Sequence, residues 1–591
     1  MSVYEKDGTI LNLIYGNLGL PLDNAYDLLG EQIYPDGQQE KHHLESYDIF
    51  VPQNVSDEWN TGAPSGKTLN VSTTQFLELF YDGYLTNPPQ GLTVTKKSIG
   101  KDQTGQYDMF EFDFKPRNYE RTILLSSGMH TYELSASFGL ANFINNLYSS
   151  ENDENEAFQY IRKYVRIKVI PIVNPWGFNQ SPKKYGNANG VNPNRGFDLD
   201  GQWDEFDVLT PTQNEWNVKG EYPFCEQEVI NLAKWVDSNW DAEFWIDCHT
   251  GIGYSDSDLW LYYSSDSVIL NGINASISNI ESWFKDTYGV DCVTKRTVNN
   301  RDSIRLHWAE KCMQMAGYTQ EQSPSRTTFG TANNNDSGDI SNYSTVVSTF
   351  IQEFLLAKYE SDVVIPITNA TNPNSVSIDV STGSYSATLE SAILPSNTTQ
   401  NKFEWVSSNE SVVKVYGGSN KAIVVGVGNG QAVLTGVNRY NPNITVSCTV
   451  TITGYALPNS ISLACELGGI DITDGSETVA TNRLRTDFID ISARTWKSAF
   501  TVRDISTSGV SPQIAIRLYD SNHEYLGNLN ATKWSGDKAD GWGLGNGSFY
   551  DTNILLTAHY ARLILRKGDD STISSASGSF RIRNTTYSFS L

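Results

Sequence analysis

Hydrophobic positions along the chain follow two patterns, which change near residue 360. From about residue 70, apolar runs typical of buried strands alternate with segments whose apolar residues recur at helical spacing. Beyond Ile365 the runs are short, alternate between apolar and polar residues, and are separated by Gly, Asn and Ser. The first pattern predicts an α/β domain with a central mixed sheet, and the second predicts all-β sandwiches.

Individual elements of the α/β part can be placed from these patterns. Strands are predicted at Leu92–Ser98, Tyr107–Phe114, Thr122–Leu125, Arg166–Val173, Phe244–Cys248 and Leu259–Tyr263. Helices are predicted after a Ser72 cap through Leu77 to Tyr84, around Leu140, Phe143, Ile144 and Leu147, around Val229, Leu232, Ala233 and Val236, and at Ile269–Phe284 and Val346–Tyr359.

The chain is predicted to be multidomain, because 591 residues exceed what one hydrophobic core organises. Residues 1–69 carry turn signals without a helical stripe, which suits either an attachment segment or an N-terminal lobe of the next domain. Residues 70–360 form the predicted α/β domain. A second break near Gly454–Ser460 divides the tail into two predicted β-sandwiches, 361–455 and 456–591.

Charge and composition narrow the classes of partner. The formal net charge of −25 would repel a phosphate backbone, so nucleic acid is excluded as a partner. No window is apolar enough to span a bilayer, and no Sec signal opens the sequence. An extracellular role would therefore need release by lysis or assembly into a larger particle. Among the six cysteines, Cys292 and Cys312 are the pair considered for a disulfide.

Residues able to bind a metal follow two of the apolar runs. His130 and Glu133 come after the run Ile123–Leu125, and at i and i+3 both side chains can reach one ion. His249 ends the run that starts at Phe244, with Asp247 beside it as a candidate orienting residue. Two imidazoles and one carboxylate are typical of a catalytic zinc site, which keeps a fourth position for water.

Four motifs in order make a family resemblance specific. They are His130-x-x-Glu133, Asn192-Pro-Asn-Arg-Gly-Phe-Asp198, Pro223-Phe-Cys-Glu-Gln-Glu228 and Asp247-Cys-His-Thr250. In this order the chain resembles the zinc carboxypeptidases of the M14 family over roughly residues 70–360. The resemblance implies one Zn²⁺ held by His130, Glu133 and His249. It also implies that Asn194 and Arg195 grip the substrate's terminal carboxylate, which suits a guanidinium fork.

The same resemblance suggests a general base. Ala316–Gln322 resembles the family's strand that carries the catalytic glutamate, which assigns Glu321 to this role. Glu353, in the predicted final helix, is the competitor, although a solvated glutamate is the ordinary explanation there.

Two departures from the family pattern accompany these assignments. Lys183-Lys184-Tyr185 stands where an oxyanion-stabilising arginine is expected, so Lys184 would supply charge without the fork geometry. No residue matches the family's mobile tyrosine. Arg301 or Arg305 would line the side-chain pocket, with Arg305 preferred, and would favour an acidic terminal residue.

The tail carries two further resemblances. Residues 365–453, with Trp405 as a predicted core residue, resemble bacterial Ig-like domains of group 2, which implies a spacer or adhesion module without chemistry. Residues 456–591 loosely resemble surface-binding modules at the ends of phage and bacterial cell-wall proteins. There Arg485, Trp496, Trp534 and Trp542 form either an aromatic face for sugar or part of a core.

Together these features predict a zinc metallocarboxypeptidase that acts near a C-terminus, on peptidoglycan stem peptides or surface proteins. The β-sandwiches would hold it on a bacterial surface glycan, and residues 1–69 would contact virion proteins in a phage tail. The predicted location is extracellular or in a virion. Two alternatives remain open: a catalytically inactive receptor- or glycan-binding phage tail protein, and an amidase or deacylase of related fold.

Overall fold

A computed structural model describes most of the α/β part and the β-rich tail, all within a compact unit that spans Asp48–Leu591. The described ranges are 71–150, 153–181, 183–205, 219–220, 222–250, 259–263, 278–279, 281–282, 285–286, 292–296, 308–309, 312–313, 316–322, 347–355, 364–455, 460–471, 473–490, 502–508, 511–528, 543–544, 558–566, 571–582 and 585–591. The predicted attachment segment, residues 1–69, lies outside them.

An eight-stranded mixed sheet organises the α/β part, as the alternating pattern predicts. Its strands are β1 Leu92–Lys101, β2 Asp108–Pro116, β3 Arg121–Ser127, β4 Val165–Ile170, β5 Phe244–Thr250, β6 Leu259–Tyr263, β7 Cys292–Arg296 and β8 Ala316–Gln322. Their spatial order is β1-β2-β4-β3-β5-β8-β6-β7. The centre, β4-β3-β5-β8, is parallel, so the carboxyl ends of β3 and β5 meet at one edge.

The central strands are buried as the apolar runs require. Every residue of β3 is buried, which is typical of a strand covered on both faces. Strand β4 ends at Ile170 instead of continuing to Val173, because Pro171 has no backbone N–H for the ladder. Beyond it, the N–H of Val173 donates to Ser127 O at 2.9 Å.

Helices cover the sheet at several of the predicted places and at two others, Glu156–Tyr164 and Pro175–Phe178, which the sequence did not predict. They are α1 Thr73–Phe80, α2 Gly83–Thr86, α3 Leu134–Leu147, α4 Glu156–Tyr164, α5 Pro175–Phe178 and α6 Gln227–Ser238, and residues 347–355 are also helical. Ser72 caps α1 and Gln75 completes a capping box, as the sequence predicts, but α1 ends at Phe80 because Tyr81 leaves helical geometry. Of the predicted helix Ile269–Phe284, residues 278–279 and 281–282 are helical and the others lie outside the described ranges.

The region that follows is rich in β-strands, as predicted. Its first part contains β9 Asn369–Ala370, β10 Val376–Asp379, β11 Ser386–Glu390, β12 Ile393–Leu394, β13 Phe403–Ser407, β14 Val413–Tyr416, β15 Lys421–Gly426, β16 Gly430–Asn438 and β17 Thr445–Thr453. Sheets β10-β17-β16-β13 and β11-β15-β14 share one hydrophobic core. Trp405 is buried in that core, which confirms its predicted role.

Strand β15 also joins this region to the α/β part. Ala422 and Val424 belong to the core between the two sheets, whereas Ile423 and Val425 belong to a core that includes Trp308 and Phe224. Successive side chains of a strand point to opposite faces, so β15 is buried on both sides.

The last part of the chain forms further sheets. Its strands are β18 Ser460–Leu463, β19 Cys465–Leu467, β20 Gly469–Ile470, β21 Glu477–Thr478, β22 Arg483–Thr486, β23 Ile489–Asp490, β24 Val502–Ser508, β25 Ser511–Tyr519, β26 Tyr525–Asn528, β27 Gly543–Leu544, β28 Tyr560–Arg566, β29 Ser577–Ile582 and β30 Thr585–Ser590. They pair as β18-β30-β29-β24, as β19-β22-β28-β25-β26, and as the two-stranded sheet β20-β21; β23 also pairs with β28, and β27 with β25.

The structure also bears on the disulfide and the membrane span considered from the sequence. Cys312 is a free, fully buried thiol, so the considered disulfide with Cys292 is wrong. Within the described ranges, no helix has the length and apolar character needed to cross a membrane.

Candidate metal centre

The turn after β3 depends on a glycine. Gly128 has φ +67°, and a Cβ there would lie 3.0 Å from Ile172 Cδ1 and 3.1 Å from Ile172 Cα. A residue with a side chain would be strained in both respects. The turn leads to His130, whose carbonyl accepts from the N–H of Glu133 at 3.1 Å, and Glu133 is the N-cap residue of α3.

Three predicted ligands converge where β3 and β5 end. His130 Nδ1 lies 2.8 Å from Glu133 Oε1 and 3.2 Å from His249 Nδ1, and His249 Nδ1 lies 3.0 Å from Glu133 Oε2. All three side chains are buried, and one ligand atom from each lies within 4.8 Å of the others. Residues 119 positions apart in sequence therefore form one cluster.

The outer nitrogen of each imidazole faces an acceptor. His130 Nε2 lies 3.0 Å from Asn192 Oδ1, an oxygen that also accepts from the N–H of Asn194 at 2.9 Å. His249 Nε2 lies 2.8 Å from Asp247 Oδ2. These acceptors assign the ring protons to Nε2, which leaves both Nδ1 lone pairs directed at the Glu133 carboxylate. Three lone-pair donors that face each other call for a cation.

The dimensions of the cluster fit zinc. Tetrahedral Zn²⁺ with bonds of 2.0–2.1 Å holds its ligand atoms about 3.3 Å apart. The observed separations of 2.8 to 3.2 Å are close to this value. Burial lowers the pKa of His130, and although burial opposes it, the two imidazoles hold the pKa of Glu133 at about 2. His130 is therefore uncharged and Glu133 is ionised at neutral pH, as metal binding requires.

Side chains outside the triad hold the imidazoles in place. Asp247 Oδ1 accepts from Ser126 Oγ at 2.6 Å, and Ser126 Oγ accepts from Trp245 Nε1 at 2.8 Å. Asp247 thus makes the contact with His249 that an orienting residue would make. The ring of Tyr185 stacks on His130 with centroids 3.9 Å apart and planes at 18°.

The predicted carboxylate-binding residues lie one hydrogen bond from the metal centre. Asn194 and Arg195 belong to the 3₁₀ turn Pro193–Arg195, whose N-cap is Asn192. The Asn192 side chain thus joins this turn to His130. Asn194 and Arg195 are both buried, at 5% and 4% exposure, so the turn is packed tightly against its surroundings.

Four further residues were predicted to act in catalysis or in substrate binding: Lys184, Glu321, Arg301 and Arg305. Lys184 is half-buried, and its backbone oxygen accepts from Thr131 Oγ1 at 2.6 Å, next to the ligand His130. Strand β8 pairs in parallel with β5, with Glu321 opposite His249 in the register. Arg301 and Arg305 lie outside the described residues.

Glu353 differs from the solvated glutamate expected in the final helix. It is 5% exposed and accepts from Asn279 Nδ2 at 3.4 Å, and burial raises its pKa. Helical periodicity located the helix correctly but did not show how much of its surface is covered. Phe354, for example, packs edge-on against Phe244 of β5.

In the tail, Arg485 is already paired. Its Nη2 lies 2.7 Å from both Glu466 Oε1 and Glu477 Oε2, and the residue is 8% exposed. It is therefore not an open part of a sugar-binding face. Trp496, Trp534 and Trp542 lie outside the described residues.

Comparison with known proteins identifies the α/β part. Residues 87–357 match the family Peptidase_M14, described as zinc carboxypeptidase. This confirms the resemblance for that part of the chain. Peptidases of this family use one zinc ion, and the His130–Glu133–His249 triad is positioned to bind it. Comparison with curated proteins gives no match.

Several solved structures are similar to about half of the chain. Carboxypeptidase A from Helicoverpa armigera has 13% identity and a TM-score of 0.40, covering 50% of this chain and 76% of its own. A metallo-carboxypeptidase from Burkholderia cenocepacia has 12% identity and a TM-score of 0.35, covering 48% and 69%. Bovine thrombin-activatable fibrinolysis inhibitor has 15% identity and a TM-score of 0.37, covering 51% and 98%.

Proposed function

We propose that this protein, whose residues 87–357 are a zinc carboxypeptidase domain, is an active metallocarboxypeptidase that releases residues from free peptide C-termini. The observation that carries the proposal is the convergence of one buried ligand atom each from His130, Glu133 and His249 within 4.8 Å of one another. A structural role alone does not account for three buried, mutually facing lone-pair donors.

The chain's own residues supply the remaining chemistry. Bound zinc would polarise the scissile carbonyl and acidify a water molecule. We assign Glu321 the role of general base, which accepts the proton of the attacking water and passes it to the leaving amine. Its register position opposite His249 supports this role. Asp247 and Asn192 keep the two imidazoles in the tautomer that leaves Nδ1 free.

Substrate recognition is assigned to the neighbouring turn. Arg195 binds the terminal carboxylate through its guanidinium fork, and Asn194 supports it. Lys184 supplies positive charge near the developing oxyanion, without the geometry of an arginine. Arg305 lines the side-chain pocket, which would favour peptides that end in an acidic residue.

Metal analysis and peptide digestion test this function together. The purified chain should hold one zinc per molecule and release C-terminal residues from synthetic peptides, but leave the same peptides intact when their C-termini are amidated. Glu321→Gln should retain zinc and lose activity. A zinc-loaded wild-type protein that releases nothing, or a Glu321→Gln variant as active as wild type, would contradict the assignment.

A second candidate function is favoured by Lys184, which stands where the family resemblance places an arginine. In this second function, the chain would be a receptor- or glycan-binding phage tail protein without peptidase activity. Glycan binding by a chain that purifies without zinc would support it. Cleavage of amidated peptides or acyl amides would instead support an amidase or deacylase.

We also propose that residues 361–455 and 456–591 are β-sandwich modules, the first Ig-like, which hold the peptidase on a bacterial surface. Two sheets around one core in residues 369–453 support the first module. The substrate would then be peptidoglycan stem peptides or surface proteins. Sedimentation with purified peptidoglycan and immunodetection in purified phage particles test delivery, and failure in both would count against it.

A further inference from the structure

We propose that the β-rich region after residue 364 braces the turn carrying Asn194 and Arg195, and so positions the carboxylate-binding residues of the peptidase. The inference rests on the proposed function insofar as Arg195 binds substrate. The brace itself does not depend on that function, because it rests on contacts of residues 386–421 with Asp198, Asp200 and Phe224.

Two strained backbone positions mark the segment that follows Arg195. Asp200 has φ 53° and Phe224 has φ 56°, and between residues 71 and 455 they are the described non-glycine residues with left-handed φ. Such a conformation is unfavourable for a residue with a side chain, so neighbouring contacts must hold it. Phe224 is linked to the turn, because its N–H donates to Gly196 O at 2.7 Å, and Asp200 follows the turn closely in sequence.

The β-rich region contacts the first strained position through β11 and β15. The N–H of Asp200 donates to Thr388 Oγ1 at 3.2 Å, and Asp200 Oδ2 lies 3.8 Å from Lys421 Nζ. Two residues earlier, Asp198 Oδ2 accepts from Ser386 Oγ, while its Oδ1 accepts from the N–H of Trp203. The side chains of Ser386 and Thr388 thus satisfy polar groups three and five residues after Arg195.

The second strained position is held by an aromatic stack. The rings of Phe224 and Tyr416 lie 4.2 Å apart with planes at 7°, and Phe197 packs edge-on against Phe224 at 5.4 Å. Tyr416 is fixed in turn, because its carbonyl accepts from Trp308 Nε1 at 3.3 Å. These rings are fully or nearly fully buried in the core that the two regions share.

These contacts act on Arg195 through the backbone of residues 196–200. Gly196 packs closely on α6, since a Cβ there would lie 2.5 Å from Val229 Cγ2. Misplacement of a binding group by about 1 Å can lower a rate by 10²-fold. Ser386, Thr388 and Tyr416 are therefore positioning residues, which act on the substrate carboxylate without touching it.

The test uses the full chain with the double variant Ser386→Ala/Thr388→Val. Both residues are half-buried and outside the metal centre, so the variant is expected to fold. The matched control is Arg439→Ala, which removes another contact between the same regions, with Asp237 at 2.8 Å, far along the chain from the turn. Hydrogen exchange of the peptide 193–205, zinc content, KM and kcat are measured for each.

The brace predicts at least tenfold faster exchange of residues 193–205 in the double variant and a KM roughly tenfold higher for peptides with free C-termini. Zinc content and kcat should stay within twofold, and Arg439→Ala should match wild type. Unchanged exchange, or the same changes in Arg439→Ala, would overturn the brace. Faster exchange with unchanged KM would overturn the positioning of Arg195. If wild type proves inactive, the proposed function fails, while exchange still decides whether the brace exists.

Discussion

Replacing Asp247 by asparagine should weaken zinc binding by 10- to 100-fold while the fold is retained. Both carboxylate oxygens of Asp247 accept hydrogen bonds, one from His249 Nε2 and one from Ser126 Oγ. An asparagine has only one oxygen, and its amino group must face one of these two partners.

Both orientations of the asparagine disturb the site. If its amino group faces His249 Nε2, the imidazole proton must move to Nδ1, the atom that would bind the metal. If it faces Ser126, the hydroxyl proton of Ser126 loses its acceptor, and His249 keeps only an uncharged partner. Loss of such an orienting contact typically costs 10- to 100-fold in metal affinity, or about 1.4–2.8 kcal/mol.

Zinc affinity is measured by competition with a chromophoric chelator at fixed pH. The matched control is Asp113→Asn, another buried aspartate in the same sheet, whose Oδ1 accepts from Arg166 Nε at 2.9 Å. The control should lose stability and keep its zinc affinity. An Asp247→Asn variant that binds zinc within twofold of wild type, or a control that is weakened equally, would refute the orientation argument.

Three further outcomes follow from single positions. Gly128→Ala should lower the free energy of unfolding by about 2–4 kcal/mol in urea titrations, whereas Gly105→Ala, at φ +70° with open space around it, should cost about 1–2 kcal/mol. Burial raises the pKa of Glu228 from 4.5 to about 7, so the folded state holds this proton where the unfolded chain releases it. Stability should therefore fall by on the order of 3 kcal/mol as pH rises from about 4.5 to 7, and denaturation of Glu228→Gln should show a flatter profile. Arg195→Lys should raise KM at least tenfold with a smaller effect on kcat in peptide assays, because an ammonium cannot make the bidentate contact; an unchanged KM would count against the carboxylate role.

The metal ligands were predictable because each adjoins a strong local signal. Strand β3 is apolar and buried throughout, and His130 follows it after a glycine; His249 lies at the end of β5. A buried strand that changes abruptly to polar residues indicates a site at the sheet edge. Local sequence indicated the site because parallel strands bring their carboxyl ends together, and the order of the four motifs, which resembles the M14 family, made the ligand set specific.

Asn192 and Tyr185 were missed for the opposite reason. Asn192 contacts His130 across 62 positions of sequence, from a short 3₁₀ turn whose course no periodic pattern reveals. Tyr185 stacks on the same imidazole from an irregular segment. Helix α4 was also not predicted, although Asn155 caps it and its apolar residues share one face. The β-branched residues of the following strand, Val165–Ile170, favour a strand in the same stretch of sequence.

The β-rich region packs against the α/β part, which its pattern of alternating strands does not predict. Its resemblance to Ig-like domains implies a spacer or adhesion module, yet β14 and β15 contribute Tyr416, Ile423 and Val425 to a core of the α/β part. The sequence did hold the signal for this, because Ala422–Val425 is a continuous apolar run within a region of alternating strands. Such a run requires burial on both faces, and a single sandwich covers only one face. The second face of β15 therefore needed a partner, and the partner is the part of the chain that binds the metal.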